Sequence, residues 1–202
     1  MGRTGNNLIR QFIWLQLQLH QSVMSTKIIV SILMFTIFSA FPSIAQPFAD
    51  EDRDWGITPV QDIRQSLYSA PTPTNIPGAK PVSTRELHDM LLLVPTPILI
   101  DVAGGNDHET VRGAVWLPGF GRGDHFFDPL QARLAEILRK LSSGDKARPL
   151  VFFCVNARCW LSYNASLRAA SLGYSQVFWY RGGIAAWREA GLPLAKVSAS
   201  AE

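Results

Sequence analysis

The stretch PLVFFCVNARCWLSYNASLRAASLG, residues 149–173, decides the fold of this chain. It opens with a continuous apolar run, residues 149–153, of the kind that forms a strand buried on both faces of a sheet. A short segment with two cysteines follows, and helical spacing then begins near Ser162 and stops at Gly173, a residue type that commonly ends helices. A buried strand that passes through a loop into a helix is typical of a parallel α/β sheet.

The same alternation of apolar strands and amphipathic helices extends over residues 83–195. The predicted strands are residues 97–102, 114–117, 149–153 and 177–180, and the predicted helices are residues 84–93, 129–141, 162–172 and 184–189. Asp128 is suited to cap the second helix, which has one apolar face. The sequence therefore predicts one α/β domain, with a parallel sheet and helices on both of its faces.

The segments that flank this domain differ from it in composition. Residues 46–82 are rich in Pro, Asp and Thr and have no sustained periodicity, so we predict an extended N-terminal arm there. The last residues, 196–202, are predicted to form a C-terminal tail. The predicted organisation is thus a leader, an arm, one domain and a short tail.

Residues 24–46, MSTKIIVSILMFTIFSAFPSIAQ, have the pattern of a secretory signal peptide: a basic start, an apolar run over residues 28–41, and a small-residue cleavage site after Ala45. A membrane anchor is the alternative, but the apolar run is shorter than the roughly 20 residues that span hydrocarbon. Because export signals begin at the initiator, Met24 is the predicted start and residues 1–45 form the leader. We therefore expect a periplasmic protein with no stable membrane span after cleavage.

The basic excess of the chain lies in this leader. Removing residues 1–45 takes away three of the 19 basic residues, Arg3, Arg10 and Lys27, and no acidic one, which leaves 16 basic and 16 acidic residues. A nucleic-acid partner requires a concentrated basic face, and the remaining chain has no long basic run to supply one. Nucleic acid is therefore not an expected partner.

Cys154 directly follows the buried strand, on the edge of the sheet where parallel strands end and ligands bind. The following helix and the unpaired N–H groups of the loop favour a thiolate there, and Arg158 adds a positive charge. We therefore predict that Cys154 is a nucleophile and that Arg158 orients its substrate. The alternative, that Cys154 is only a small buried hydrophobic residue, stays open.

Cys159 is the other cysteine of the chain. Three roles are open for it: a resolving thiol, a disulfide partner of Cys154, or packing of the loop. A bridge that closes so short a loop restricts the unfolded chain little, so local chemistry explains the pair better than a structural staple does. The predicted catalytic set is Cys154, Cys159 and Arg158.

Five further residues are predicted to surround a substrate on Cys154: Val155, Asn156, Ala157, Trp160 and Asp101. Trp160 either covers the core beneath the loop or faces a ligand. Asp101 either orients the loop or Arg158, or holds its own turn. The histidines lack the spacing of a metal site, so we predict no metal and no cofactor.

Four segments within residues 83–194 resemble the rhodanese family. They are LIDV at 99–102, GAVWLP at 113–118, the strand, cysteine loop and helix around Cys154, and RGGIAAWREAGLP at 181–193. The resemblance implies the rhodanese-like fold and thiosulfate sulfurtransferase-like activity. It also implies that Cys154 takes sulfane sulfur from a small anionic donor as a persulfide, held by loop amides, and passes it to a thiol or other thiophilic acceptor. Whether the chain turns over stays open at this point.

A narrower resemblance is to exported rhodanese-like proteins called PQQ-dependent catabolism-associated CXXCW motif proteins. It rests on the segments 66–79 (SLYSAPTPTNIPGA), 154–174 (CVNARCWLSYNASLRAASLGY) and 177–183 (VFWYRGG). This resemblance implies a role in periplasmic PQQ-dependent alcohol oxidation, beside a quinoprotein dehydrogenase or its cytochrome c, without PQQ binding by this chain. The alternatives are a non-catalytic binding or assembly module, or a thiol–disulfide partner of such a system.

Overall fold

A computed structural model describes residues 48–198 of the chain, and its strands and helices lie within residues 80–198. In chain order they are β1 Lys80–Val82, α1 Thr84–Met90, β2 Ile98–Asp101, β3 Asp107–Val111, β4 Val115–Trp116, α2 Pro129–Leu141, β5 Leu150–Phe153, α3 Trp160–Ser171, β6 Val177–Tyr180, α4 Gly183–Glu189 and β7 Leu194–Ser198. The predicted leader, residues 1–45, lies outside the described residues.

Five strands form one sheet in the order β1-β6-β5-β2-β4, and every neighbouring pair in it is parallel. The central strand β5 is buried along its whole length, as its apolar run predicts. The predicted parallel α/β sheet is therefore confirmed, and Cys154 follows its central strand.

Alternate residues of β5 pack into two different cores, because successive side chains of a strand point to opposite faces. Leu150 and Phe152 belong to the core beneath α2 and α3. Val151 and Phe153 belong to the core beneath α1 and α4. Helices therefore cover both faces of the sheet, which is the layering that the sequence predicts.

Local sequence signals set the starts of the first two helices. The Asp128 carboxylate accepts a 2.8 Å hydrogen bond from the Gln131 N–H and caps α2 as predicted. Ser83 and Glu86 form a capping box at α1, in which each side chain accepts from the other residue's backbone N–H. Hydrogen bonds from the Ser83 backbone and hydroxyl hold the pKa of Glu86 below its usual value.

Three strands were not predicted. Strand β1 lies in the last residues of the predicted arm and pairs in parallel with β6. Strands β3 and β7 form a separate antiparallel ribbon, and β7 crosses the predicted boundary between domain and tail. Within residues 48–198, no helix is long and apolar enough to cross a membrane.

Candidate functional site

Cys154 lies where the sequence places it, immediately after β5 at the carboxyl edge of the parallel sheet. The residue is only 2% exposed and belongs to the larger apolar core. Helix α3 begins six residues later, at Trp160. The site is therefore a strand, a five-residue loop over residues 155–159, and a helix N-terminus.

Cys154 and Cys159 form a disulfide, with 6.1 Å between their Cα atoms. Of the three roles left open for Cys159, the structure thus shows the disulfide partner. Both cysteines of the chain are used in this bond, so the oxidised protein has no free thiol. Any reaction of a Cys154 thiolate requires the bond to be reduced first.

The loop between the two cysteines is organised by Asn156. Its side-chain oxygen accepts from the Arg158 N–H at 2.9 Å, and its carbonyl accepts from the Cys159 N–H at 3.1 Å. Among the described residues, no hydrogen bond uses the N–H groups of Val155, Asn156 or Ala157. Val155 is exposed and Asn156 is half-buried, whereas Ala157 is 2% exposed, so the first two N–H groups are the candidate donors to an anion at the loop.

Gly183, the first residue of α4, packs directly against the backbone of this loop. The carbonyl of Cys154 accepts from the Ile184 N–H at 3.0 Å, and the carbonyl of Val155 accepts from the Ala185 N–H at 2.8 Å. A Cβ on Gly183 would lie 2.3 Å from the Cys154 carbonyl oxygen, and the φ angle of +60° also favours glycine. The second glycine of the RGG motif thus positions the cysteine loop.

Arg181, the first residue of the same motif, is 3% exposed and clamps the N-terminal arm. Its guanidinium donates to the hydroxyl and carbonyl of Thr72, and to the carbonyls of Asp50, Glu51 and Arg53. Burial lowers the pKa of Arg181 from its usual value. Sequence reasoning missed this role, although the RGG motif pointed to the residue.

Two buried polar side chains of α3 hold the arm where it passes over this helix. The Tyr163 hydroxyl donates to the Val60 carbonyl at 2.8 Å and accepts from its N–H at 2.9 Å. Asn164 makes the equivalent pair of bonds with the backbone of Arg64. Val60 and Arg64 lie in no strand or helix. At each residue, two hydrogen bonds to a side chain of α3 satisfy the backbone N–H and C=O groups instead.

The arm then runs beside the cysteine loop. The Trp160 N–H donates to the Tyr68 carbonyl at 2.8 Å, and Ser69 forms an antiparallel bridge with Cys159. The Thr72 hydroxyl donates to the Ala157 carbonyl at 2.6 Å. The outer edge of the disulfide loop is therefore bounded by arm residues.

Trp160, which was predicted either to cover the core beneath the loop or to face a ligand, is buried. This side chain is 1% exposed, stacks against Tyr163 at 4.8 Å between ring centroids, and donates from Nε1 to the Pro71 carbonyl. The indole joins the arm to α3, because its apolar body and single donor both find partners there. Trp160 therefore has the alternative role, in the core beneath the loop.

Asp101 likewise does not orient the loop or Arg158. It is fully buried; one oxygen accepts from the Ala103 N–H at 2.8 Å, and the other accepts from the Thr110 hydroxyl at 2.6 Å. The same second oxygen lies 2.6 Å from Nε2 of His108. Asp101 therefore holds its own turn to β3, because a buried carboxylate requires such partners.

The remaining predicted residues lie on the loop with different exposures. Val155 is 47% exposed and Arg158 is exposed, whereas Ala157 is buried and contributes its carbonyl to Thr72. The Arg158 guanidinium lies 5.9 Å from the ring centroid of Trp55. The loop thus presents the Arg158 cation at its surface, and Ala157 offers no side-chain surface.

Neither of two cavities described in residues 48–198 is lined by the cysteine loop. One, of about 170 Å³, lies between Glu51, Glu86 and Arg181, and the other, of about 200 Å³, lies between α1 and Leu192. No cluster of three or more His, Cys, Asp or Glu residues in this part of the chain is arranged to hold a metal ion.

The rhodanese-like domain family matches this chain over residues 75–190, more than half of its length. That range includes β1, the whole parallel sheet, the disulfide loop and α4. No curated protein sequence matches the chain significantly.

Several solved structures are similar to this chain at low identity. A protein from Lactobacillus plantarum is 20% identical, with a TM-score of 0.39, over 55% of this chain and 82% of that chain. A Rhodanese_3 like domain from Anabaena is 21% identical, with a TM-score of 0.35, over 49% and 98%. A polysulfide-sulfur transferase homodimer from Wolinella succinogenes is 19% identical, with a TM-score of 0.40, over 62% and 84%.

Proposed function

Because this chain belongs to the rhodanese-like domain family, we propose that it transfers sulfane sulfur through a persulfide on Cys154. The observation that carries the proposal is the position of this cysteine. It ends the central strand, and the loop that follows leaves the N–H groups of Val155, Asn156 and Ala157 without partners among the described residues. A sulfur anion on Cys154 is the ligand that such a loop favours.

The transfer begins from the dithiol form of the protein. The Cys154 thiolate attacks the outer sulfur of a small anionic donor such as thiosulfate, the sulfur–sulfur bond of the donor breaks, and sulfite leaves. The terminal sulfur of the resulting persulfide is then attacked by an acceptor, a thiolate or cyanide, which restores the Cys154 thiolate. The loop N–H groups stabilise the sulfur anion in both steps, and Arg158 attracts the anionic donor.

Cys159 ends the cycle when no acceptor arrives. Its thiolate attacks the inner sulfur of the Cys154 persulfide, hydrosulfide leaves, and the Cys154–Cys159 disulfide forms. The bond in the structure supports this role, since it shows that the two sulfur atoms reach each other. The oxidised protein is then an inactive state that a reductant must open.

A sulfurtransferase assay tests the proposal directly. Reduced wild type, Cys154→Ser and Cys159→Ser would receive thiosulfate and cyanide, and thiocyanate would be measured. We expect turnover by wild type and by Cys159→Ser, and only the uncatalysed rate with Cys154→Ser. If all three proteins produce thiocyanate at the uncatalysed rate, sulfur transfer from thiosulfate is rejected.

Thiol–disulfide exchange is the second candidate function, and the disulfide itself favours it. In this alternative the Cys154–Cys159 pair exchanges electrons with another protein and carries no sulfur. Equilibration in glutathione buffers, followed by alkylation and mass measurement, would show a reversible two-electron transition. A pair that stays oxidised or reduced across all buffers would reject this alternative; if sulfur transfer also fails, a binding or assembly module remains.

The setting that we propose for this activity is the periplasm, beside a PQQ-dependent alcohol oxidation system. The support is the signal-peptide pattern of residues 24–46 and the resemblance of residues 66–79 and 154–174 to exported proteins of that system. Expression of the full chain, fractionation and intact mass measurement test the export. A mature chain beginning at Gln46 is expected in the periplasmic fraction, and an uncleaved chain in the cytoplasm would contradict it. Recovery of a quinoprotein dehydrogenase or its cytochrome c with the tagged chain tests the partner.

A further inference from the structure

The two cysteines of the disulfide differ in their exposure to solvent. Cys154 is 2% exposed and is buried in the core cluster that also contains Ala103 and Leu161. Cys159 is half-buried, at the outer end of the loop, and packs only partly against the same cluster. A molecule arriving from solvent therefore meets Cys159 first.

The direction of attack strengthens this difference. A thiolate opens a disulfide by approaching one sulfur in line with the bond, from the side opposite to the sulfur that leaves. Attack on Cys154 would have to come from the core side of the bond, which is filled by packed side chains. Cys159, by contrast, lies beside the arm, where its neighbours Ser69 and Arg158 are exposed.

The site is also arranged to receive the charge that such an attack releases. When Cys159 is attacked, Cys154 leaves as a thiolate at the start of the loop, where the N–H groups of Val155 and Asn156 make no hydrogen bond within the described residues. A leaving thiolate that is stabilised in place leaves faster. The backbone amides that hold a sulfur anion for transfer thus also assist the opening of the disulfide.

From these observations we infer that Cys159 is the entry sulfur of the oxidised protein, and that a protein dithiol opens the disulfide there. One partner thiolate bonds to the Cys159 sulfur and displaces the Cys154 thiolate. The second partner thiol then attacks the partner's own sulfur in this mixed disulfide and releases Cys159. The partner is oxidised by two electrons to a disulfide, and its two protons pass to the cysteines of this chain.

In the reduced protein Cys154 is the cysteine that reacts first, whereas in the oxidised protein Cys159 reacts first. This inference rests on the proposed function only in assigning sulfur loading to the reduced Cys154. Cys159 is the residue that an external thiol touches, and Cys154 is the buried residue that it displaces. The disulfide therefore keeps Cys154 from reaction until a thiol has engaged the outer cysteine.

The tryptic peptides of the chain allow a direct test. Trypsin cleaves after Arg158, so Cys154 falls in the peptide 147–158 and Cys159 in the peptide 159–168. The mature, oxidised wild type would be treated briefly with limiting glutathione, quenched with acid, blocked with a maleimide and digested. We expect the glutathione adduct on the Cys159 peptide in at least about tenfold excess over the Cys154 peptide.

Unfolded protein provides the control. In urea the same treatment should place the adduct on both peptides in similar amounts, because burial no longer separates the two sulfurs. An adduct that is equal or larger on the Cys154 peptide of folded protein would overturn the inference.

The failure of this inference is separable from failure of sulfur transfer. Chemically reduced protein loads sulfur whichever cysteine glutathione attacks, so the thiocyanate assay is independent of the adduct position. An adduct on Cys154 with normal sulfur transfer rejects only the entry role of Cys159. An adduct on Cys159 without sulfur transfer rejects only the proposed function.

Discussion

Arg181 and Thr72 are joined by two hydrogen bonds across 109 positions of the chain. The Nε of Arg181 donates to the Thr72 hydroxyl and its Nη2 donates to the Thr72 carbonyl, each at 3.0 Å. The same hydroxyl donates onward to the Ala157 carbonyl at 2.6 Å. One buried threonine therefore connects the arm, the cysteine loop and the residues that precede α4.

Replacing Thr72 with valine removes this connection at nearly constant volume. The Ala157 carbonyl loses its donor and Arg181 Nε loses its acceptor, both in buried positions. We expect the free energy of unfolding in urea to fall by about 1–3 kcal/mol, and the disulfide of the folded protein to react faster with glutathione. Thr58→Val, at an exposed position of the same arm, is the matched control. Equal stability of the two variants would contradict the connection.

Replacing Arg181 with methionine removes a buried guanidinium that donates to four different residues of the arm. Their carbonyls would remain without these donors, so we expect a loss of more than about 3 kcal/mol in the free energy of unfolding. Arg188→Met is the control, since Arg188 makes an exposed ion pair with Glu109 at 3.1 Å, and such pairs contribute less than about 1 kcal/mol. Urea denaturation measures both. Similar losses in the two variants would show that Arg181 does not clamp the arm.

Alanine substitutions at Gly183 and Gly173 distinguish the cost of a steric contact from the cost of backbone strain. Both have a positive φ angle, but a Cβ on Gly183 would lie 2.3 Å from the Cys154 carbonyl oxygen, whereas a Cβ on Gly173 meets no atom within 4 Å. Gly173→Ala should therefore cost about 1–2 kcal/mol from backbone conformation alone. We expect Gly183→Ala to cost more and also to accelerate reduction of the disulfide. Identical thermal unfolding and reduction rates for the two variants would show that close contact between Gly183 and the cysteine loop is not needed.

We expect the free energy of unfolding to fall at alkaline pH because of Tyr163. Burial raises the pKa of Tyr163 to about 12, from the value of 10.0 expected for an exposed tyrosine. Because the folded state holds this proton more tightly than the unfolded chain, the stabilisation is complete below about pH 10 and is lost as the pH rises through 12.

A Tyr163→Phe variant checks this dependence. It should be less stable at neutral pH, since it loses both bonds to Val60, and its stability should fall less steeply above pH 10. Urea denaturation at a series of pH values, with tyrosinate absorbance followed in parallel, makes the comparison. Parallel stability curves for wild type and variant would show that another group causes the alkaline loss; Tyr180, whose pKa is also raised by burial, is then the first to replace.

The central elements were predictable because each carries its own local signal. The bounds of α2 and β6 match their predictions, and β5 differs by one residue at its start. A fully buried strand reads as an apolar run, and an amphipathic helix with a capping aspartate reads as a period of 3.6. These predictions hold in the fold because the apolar residues that produce the two patterns are also the residues whose burial stabilises the protein.

The unpredicted strands lack such signals. The β1 segment KPV has one buried residue, and its only strand partner is β6, far along the chain. In the β3 segment DHETV, only Thr110 and Val111 are buried, so the run looks polar. Pairing with a distant strand, and not local propensity, makes these segments extended.

The sequence by itself determined the α/β fold class, the place of Cys154 after a buried strand, and the closeness of the two cysteines. Those properties follow from hydrophobic periodicity and from short spacing, which are local quantities. Only the tertiary structure decided that the cysteines form a disulfide, that Trp160 and Asp101 are used internally, and that Arg181 binds the arm. The physical reason is that a polar side chain acquires its role from the distant groups that burial leaves within hydrogen-bonding reach.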